Sequence, residues 1–445
     1  MTVRPHTRSQ RINESSMSDT NFKLDTTRKQ PALEYLTWMH QAAEAGKSIG
    51  SMLKELIKLQ FSKAKISPEE YFLYQLYDDE RYTWEAKQTF MGSGSKRVSS
   101  PWATVCHDKP TFTALLQGLG LPTPETQAFV HPERSIGNAY NLRDGDDVRR
   151  FLREDARYPI FGKPMESVCS LGSANISGFD HAEDAIILSD GRHVDLDRLI
   201  DQIRQFDFKY LFQSLLLPHE DLIPIIGNRV STVRMYVLQD DDGCELLRAS
   251  WKIPGSTNGA DNFWRPGNLL AGIDVKTGKL GRTLQRTENG TQPIDKHPVT
   301  DTSFADLVFP HWEEMVKVVM RAAPNLSGCH FQGWDVALTD LGPVLVECEG
   351  DGGDTIMEQL CFDTGLLQGR FLEFFDSRKE REQRDSKKRK ARWRQNIKRN
   401  MAALSVQEKS AAAEESSQET DATSVQAAKE QTTSAMAETN ETTSV

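Results

Sequence analysis

The sequence predicts an α+β protein with a helical N-terminal region and a disordered acidic tail. Apolar segments with strand-like character alternate with segments of helical spacing between residues 98 and 376, and no repeat of 20–50 residues interrupts them. The chain of 445 residues is long enough to bury a large core in two or three domains. After residue 400 the chain is mainly Ala, Ser, Thr, Glu and Gln, a composition that cannot offset the entropy of ordering a backbone.

The composition excludes several classes of protein. The mean hydropathy is −0.54, and no apolar run approaches 18 residues, which argues against a membrane span. Six cysteines without a CxxC pair argue against a structural zinc or a disulfide framework, and they favour a reducing, cytoplasmic location. Residues 1–30 hold early arginines but no apolar segment, so we interpret them as a disordered leader rather than a secretory signal.

The net charge of −10 is distributed unevenly along the chain. Residues 377–400 have 12 basic and 3 acidic side chains, residues 401–445 have 2 basic and 8 acidic ones, and the remainder therefore has a net charge of −13. We expect the folded body to end at residue 376 and a basic helix to follow over 377–400. Two interpretations of that helix stay open. It is either an exposed helix with ion pairs four residues apart, which we favour, or a weak binding surface for an anionic partner.

Residues 31–97 have the apolar spacing of helices but no evident chemistry. The segment Ser67-Pro68-Glu69-Glu70 combines a favourable N-cap, proline at the first helical position and two acids in the first turn. We therefore predict that a helix begins at Pro68, within a helical N-terminal region.

The body from 98 to 376 contains strand and helix patterns in alternation. We predict strands over 158–163, 210–217, 231–238, 245–252, 331–338 and 343–347. We predict helices over 144–154, 196–205, 304–323 and 355–375. The fold class follows from this alternation of elements.

Lys163 lies at the end of the first of these strands and precedes a loop of small residues that includes Ser170, Gly172 and Ser173. An ammonium group next to backbone N–H groups that glycine leaves accessible is suited to bind phosphate. The spacing is not that of a P-loop. The alternative interpretation is a strand-end lysine in solvent before an ordinary turn.

Two further strands contain features suited to ligand binding. The strand over 210–217 ends in Pro218-His219-Glu220-Asp221, and an apolar strand with free backbone groups at its end suits a flat base such as adenine. Its alternative is a buried strand followed by a polar turn. Arg234 interrupts an otherwise apolar strand, where it would bind a phosphate or carboxylate, or else form an ion pair with one of the many acids.

The segment Gly333-Trp-Asp335, followed by Gly342-Pro-Val-Leu-Val-Glu347, predicts a hairpin that brings two carboxylates together. Hard oxygen ligands of this kind suit Mg²⁺, with phosphates completing the coordination shell. The alternative is an acidic turn that is merely solvated. Alternation along the second strand predicts that Glu347 shares a face with Leu345.

These motifs, in this order, resemble the ATP-grasp superfamily and most closely its sugar-transfer-associated branch. A wider resemblance reaches the glutamate ligases that modify ribosomal proteins. The resemblance covers about residues 100–375, and the pair GWD…GPVLVE is its most specific part. It implies an ATP-grasp fold, in which two α+β subdomains hold ATP between them.

The resemblance also implies a role for each site residue. The nucleotide-binding residues would be Lys109, Lys163, Ser170, Gly172, Ser173, Gln213, Leu216 and Glu220. The catalytic residues that line the same cleft would be Arg234, Lys252 and Asn262. The magnesium ligands would be Asp335, Glu347 and Glu349, although the family usually has asparagine where this chain has Glu349.

With ATP and Mg²⁺ as cofactors, the resemblance implies a ligase that joins a small-molecule carboxylate to an amine through an acyl phosphate. Two alternatives stay open: a small-molecule kinase that uses the same cleft, and a non-catalytic ATP-binding or scaffold protein. The identity of the acid and the nucleophile, and the oligomeric state, do not follow from the sequence.

Overall fold

The computed structural model describes residues 24, 31–44, 46–93, 95, 102–165, 172–255, 261–288 and 290–440. The chain forms two compact units, Met1–Phe375 and Asp376–Val445. No helix within the described ranges has the length and apolarity needed to cross a membrane.

The N-terminal region of the first unit is helical, as predicted. Its helices are α1 (Pro31–Glu44), α2 (Ile49–Phe61), α3 (Pro68–Leu73) and α4 (Trp84–Thr89). A capping box begins α3: the amide of Glu70 donates to Ser67 Oγ (3.2 Å), and the amide of Ser67 donates to Glu70 Oε2 (2.8 Å). The helices enclose a core of their own, which continues onto one face of the second sheet described below.

A first seven-stranded sheet follows two short helices, α5 (Ala103–His107) and α6 (Lys109–Gly118). Its strands are β1 (Thr126–Val130), β2 (Tyr140–Leu142), β3 (Ile160–Pro164), β4 (Ala174–Asp180), β5 (Ala185–Leu188), β6 (His193–Asp195) and β7 (Tyr210–Ser214). They lie in the order β2-β1-β7-β3-β4-β5-β6, and β1 and β2 are parallel while the other neighbours are antiparallel. The helices α7 (Gly145–Arg150), extended by a π-helical turn, and α8 (Leu196–Arg204) belong to the same part of the chain, and their apolar residues share one core with the sheet.

A second seven-stranded sheet is antiparallel throughout, with the strand order β12-β11-β10-β9-β8-β13-β14. Its strands are β8 (Thr232–Asp240), β9 (Gly243–Ile253), β10 (Leu269–Ile273), β11 (Leu280–Thr287), β12 (Gly290–Pro293), β13 (Phe331–Thr339) and β14 (Gly342–Glu349). The helices of this part are α9 (Ile223–Ile226), α10 (Trp312–Ala322) and α11 (Ile356–Phe362). One face of the sheet packs on α10 through Val233, Trp251 and Trp334, so the alternate residues point to the opposite face.

A bulge in the β13–β14 hairpin corrects one sequence expectation. Asp335 pairs with Glu347, but the next residue, Val336, pairs with Leu345. Because neighbouring residues of a strand point to opposite faces, Glu347 lies on the face of Asp335 and Leu345 lies in the core with Val336. The prediction that Glu347 and Leu345 share a face is therefore wrong, and the bulge is the reason.

The last helix, α12 (Gly369–Asn440), differs from the sequence expectation of disorder after residue 400. Residues 370–445 contain neither Gly nor Pro and are rich in Ala, Glu, Gln and Lys, which are strong helix formers. From Lys387 onward every side chain that the structure describes is exposed, so this part of the helix has no core of its own. The polar composition keeps this segment exposed to solvent, and the intrinsic helix propensity of its residues makes it helical. The predicted helix over 355–375 is likewise divided, since α11 ends at Phe362 and α12 begins at Gly369.

Glu358 in α11 is a fully buried acid with no hydrogen-bond partner for either carboxyl oxygen among the described residues. Burial raises its pKa to about 8, although the charge of Arg248 opposes the shift. The folded protein therefore keeps this proton over a pH range in which the unfolded chain, with a value near 4.5, has lost it.

We expect Glu358→Gln to stabilise the protein increasingly as the pH rises from 5 to 8. Between these values the wild-type chain loses up to about 1.4 kcal/mol of stability per pH unit through this group, and the neutral amide removes that loss. The measurement is the melting temperature of both proteins at pH 5, 6, 7 and 8. Glu313→Gln, at an exposed position of α10, is the control. A difference between Glu358→Gln and wild type that does not change with pH would contradict the expectation.

Candidate functional site

A row of charged side chains crosses one face of the second sheet. Strand pairing places Ser250 beside Arg234, Arg234 beside Asp335, and Asp335 beside Glu347. Lys252 lies two residues after Ser250 and therefore on the same face. Directly paired residues of an antiparallel sheet point to the same side, so the backbone register itself assembles this row.

Asp335 is the centre of a buried ion network. Its Oδ1 accepts a hydrogen bond from Arg234 Nε (2.6 Å), and its Oδ2 accepts from Arg234 Nη2 (3.0 Å) and from Lys252 Nζ (3.0 Å). Arg234 and Asp335 are buried, and the side chain of Lys252 is 12% exposed. Burial alone would raise the pKa of Asp335, but the two cations outweigh it and hold that pKa far below its usual range. Asp335 is therefore ionised, and it fixes the positions of Arg234 and Lys252.

Arg234 keeps one donor unused. Its Nη1 is buried and has no hydrogen-bond partner among the described residues. Two glycines leave the space beside it open: a Cβ on Gly333 would lie 3.3 Å from Nη1, and a Cβ on Gly353, which has φ +62°, would lie 3.0 Å from it. A buried guanidinium N–H without an acceptor favours an oxyanion as its ligand.

Two lysines approach the row from elements outside the second sheet. Lys109 begins α6, and its Nζ lies 3.2 Å from Glu347 Oε1. Lys163 is half-buried on β3. Burial lowers the pKa of Lys163 to about 8, Glu347 opposes this shift and Lys109 adds to it. The two lysines therefore face the same carboxylate as the row on the second sheet.

Glu347 and Glu349 lie on the same face of β14, and their charges repel each other. Although burial raises the pKa of Glu347, Lys109 and Lys163 outweigh it and lower that pKa. Burial raises the pKa of Glu349, and the repulsion from Glu347 and Asp335 adds to the shift, while Arg234 opposes it. Two neighbouring carboxylates whose negative charge is only partly balanced by nearby cations are suitable oxygen ligands for a hard divalent cation.

Residues 99–371 match the family model for sugar-transfer associated ATP-grasp proteins. The chain belongs to this family. The match confirms the predicted family, and the two sheets with a helical N-terminal region confirm the predicted α+β ATP-grasp fold. No curated relative matches the chain.

Similar solved structures include three ligases. The ATP-grasp ligase PsnB, in complex with a minimal precursor, has 16% identity and a TM-score of 0.32 over 70% of this chain and 68% of that one. The L-amino acid ligase from Bacillus licheniformis has 14% identity and a TM-score of 0.32 over 58% and 45%. The D-alanyl-alanine synthetase A from Vibrio cholerae O1 biovar eltor str. N16961 has 13% identity and a TM-score of 0.36 over 63% and 66%. The chain thus spans less than two thirds of the latter two.

The remaining ATP-grasp residues on the side of the first sheet have varied surroundings. Ser170 lies outside the described residues, whereas Ser173 is half-buried. Gly172 has φ +74°, and a Cβ there would lie 2.6 Å from the ring of Phe206, so the loop requires glycine at this point. Its carbonyl accepts a hydrogen bond from Tyr210 Oη (2.9 Å), which ties the loop to β7.

The predicted adenine segment is only partly exposed. Gln213 is buried on β7, and its Nε2 donates to Thr126 Oγ1 (3.2 Å) on β1, so this side chain links two strands. Leu216 is half-buried beyond the end of β7, and Glu220 is exposed in a 3₁₀ turn, Glu220–Leu222. Their roles toward a nucleotide stay predictions from the ATP-grasp resemblance.

Asn262 begins a turn that follows Asp261. Its backbone carbonyl accepts a hydrogen bond from Asn268 Nδ2 (2.7 Å), which helps to form that turn. The neighbouring Asp261 is bound to β8, because its Oδ2 accepts from the amide of Thr232 (2.8 Å) on that strand. Burial lowers the pKa of Lys252, but Asp335 and Asp261 outweigh this effect and raise that pKa.

Sequence reasoning missed one further neighbour of the carboxylates on β14. His107 Nδ1, at the end of α5, lies 3.7 Å from Glu349 Oε2. The sequence signal was its position two residues before Lys109, which places both side chains near the same strand. It also gave no role to Gly353, which leaves space beside Arg234 Nη1.

Proposed function

We propose that this protein is an ATP- and Mg²⁺-dependent ligase that joins a small-molecule carboxylate to an amine through an acyl phosphate. The observation that supports it most is the convergence of cationic side chains from both sheets on a set of carboxylates. The cations are Lys109, Lys163, Arg234 and Lys252, and the carboxylates are Asp335, Glu347 and Glu349.

The cations are placed to bind and orient phosphate oxygens. In the proposed reaction, an oxygen of the substrate carboxylate attacks the γ-phosphorus, and the bond to the β–γ bridging oxygen breaks to release ADP. The amine then attacks the acyl carbon, phosphate leaves with the electron pair of the C–O bond, and the amine loses a proton. The protein residues contribute by positioning and by electrostatic stabilisation, for which the unused N–H of Arg234 is the most direct candidate.

Glu347 and Glu349 are the residues that would hold Mg²⁺. Asp335 lies beside them, but both of its oxygens already accept hydrogen bonds from cations, so its first role is to position Arg234 and Lys252. When bound, Mg²⁺ reduces the charge repulsion between the attacking carboxylate and the triphosphate. The carboxylate of Glu349, where the family usually has asparagine, is a hard oxygen donor suited to this ion.

We expect the affinity for Mg·ATP to fall as the pH rises through about 8. The lowered pKa of Lys163 means that its ammonium is present at pH 7 and lost above pH 8, and phosphate binds the charged form. Loss of a single proton corresponds to at most about a tenfold weaker affinity per pH unit. The measurement is the Kd at pH 7, 8 and 9 for the wild type and for Lys163→Ala, in which the slope should disappear. Equal slopes in the two proteins would contradict this role of Lys163.

The test of the proposed activity is a screen for ADP release with pairs of carboxylates and amines, followed by mass spectrometry of the products. The ligase hypothesis predicts an amide, ADP and free phosphate. A phosphorylated product without free phosphate would identify the small-molecule kinase instead. A non-catalytic scaffold would bind ATP without turnover and would lose its function on deletion of 377–445, whose basic part at 377–400 is the candidate for a weak anionic partner.

A further inference from the structure

Two histidines and an aspartate meet at a place that the ATP-grasp site does not use. His219 and Asp221 lie in the segment that leaves β7, and His311 directly precedes α10. The amide of His219 donates to the carbonyl of Leu338 (3.3 Å), so this segment is held against the second sheet. The three side chains therefore connect the exit of the first sheet to a helix that packs on the second.

The distances between their polar atoms match those of a metal coordination shell. His311 Nε2 lies 3.0 Å and His219 Nδ1 lies 3.5 Å from Asp221 Oδ2. One ligand atom from each residue lies within 4.8 Å of the others, and the imidazole centroids are 4.4 Å apart. Metal–ligand bonds of 2.0–2.1 Å in a tetrahedron place neighbouring donors about 3.3 Å apart. The donors thus already have nearly the spacing that a metal ion requires.

His311 has a carboxylate behind its ring, and both imidazoles can be reached from solvent. The amide of Asp221 donates a hydrogen bond to His219 Nδ1 (3.2 Å), and a metal ion at this nitrogen would replace that hydrogen bond. His311 Nδ1 lies 3.6 Å from Glu314 Oε2, and a carboxylate behind a metal-binding histidine is the usual means of orienting its ring. The His219, Asp221 and His311 side chains are 20%, 52% and 34% exposed, so an ion has access from solvent.

We propose that His219, Asp221 and His311 form a binding site for a divalent transition-metal ion with the ligand preference of Zn²⁺, and that Glu314 is a positioning residue for His311. Two imidazoles and one carboxylate leave a fourth position for water. The site shares no side chain with the proposed ligase site, although His219 and Asp221 flank Glu220, which is predicted to contact the nucleotide. A bound ion would hold the segment after β7 against the N-terminus of α10.

A second group in the described part of the chain serves as a comparison. Asp180, Glu183 and His193 also lie close together, but they offer a single imidazole with two carboxylates. Zn²⁺ favours nitrogen and sulfur ligands, so this group is the weaker site for it. A variant of His193 is therefore a matched control that removes one histidine without affecting the proposed metal site.

The experiment is a Zn²⁺ titration of the tag-free full-length protein in buffer without chelator, with a chromophoric chelator as competitor. We expect one site per chain that is unchanged in His193→Gln. Glu314→Gln should weaken it by about 10–100-fold, and His219→Gln or His311→Gln should weaken it further. The melting temperature without metal is measured first and shows that each variant is folded.

Co²⁺ provides a spectroscopic readout that a purely structural role would not change. The wild type should show the visible absorption of tetrahedral Co²⁺, and the His219→Gln/His311→Gln double variant should not. Zn²⁺ binding that is undiminished in the double variant, such as binding to the buried thiols, would overturn the proposal. No binding at micromolar Zn²⁺ by the wild type would also overturn it.

Discussion

Replacing Lys163 by alanine is expected to lower Mg·ATP turnover by on the order of 10²-fold or more and to weaken nucleotide binding. Lys163 is the half-buried cation on the first sheet whose charge interacts with Glu347 on the second, and burial lowers its pKa to about 8. A phosphate that binds this ammonium would gain an interaction that solvent screens only weakly. The measurements are the Kd for Mg·ATP and the rate of ADP release.

The matched control for this prediction is Lys279→Ala. Lys279 is an exposed lysine, 52% accessible, whose Nζ lies 2.7 Å from Asp306 Oδ1. The substitution Lys279→Ala removes the same charge from the chain at a position outside the site. Equal nucleotide affinity and turnover in Lys163→Ala, Lys279→Ala and wild type, with all three folded, would exclude Lys163 from the nucleotide site.

Replacing Asp335 by alanine is expected to lower the free energy of unfolding by about 3–5 kcal/mol, even without nucleotide or magnesium. Its carboxylate binds Arg234 and Lys252, and the three side chains are at most 12% exposed. Removal of the anion takes from both cations their hydrogen-bonded partner in a region with little access to solvent. The measurement is urea denaturation of both proteins in a buffer that contains EDTA.

The variant Glu347→Gln distinguishes the stabilising role of Asp335 from magnesium binding. Glu347 is 32% exposed and contacts a single lysine in the network, so its substitution should lower the free energy of unfolding by about 1 kcal/mol or less. Both variants should lose activity, but only the Asp335 variant should lose much stability. If Asp335→Ala is as stable as Glu347→Gln in EDTA, then the buried ion network does not hold the sheet together as we infer.

The strands that carry the site could be predicted from the sequence because their apolar runs are long. β8 and β13 follow 231–238 and 331–338 to within two residues at each end, since both are buried along most of their length. β10 was missed, although all five of its residues are buried. A run of five apolar residues shows neither the alternation of a half-buried strand nor the spacing of a helix. β4 was missed because Gly178 and exposed residues interrupt its pattern, and its pairing with β3 and β5 is what orders it.

The sequence predicted the types of residue at the candidate site but not which side chains contact each other. An arginine within an apolar strand indicated either an oxyanion ligand or an ion pair, and the structure shows that Arg234 binds Asp335 while Nη1 has no hydrogen-bond partner among the described residues. The strand register that selects Asp335 is non-local and cannot be read from either strand alone. The bulge between Leu345 and Glu347 has the same origin, since the alternation of these residues contains no sign of it.

The measurement that tests the central claim most directly is the fate of ¹⁸O from a labelled carboxylate substrate. With the substrate pair found in the screen, the acyl phosphate route transfers one labelled oxygen into free phosphate, because the amine displaces that oxygen from the acyl carbon. We predict one ¹⁸O per phosphate released and one fewer in the amide than in the acid. Unlabelled free phosphate, or phosphate transferred to a hydroxyl group with no amide formed, would contradict the account.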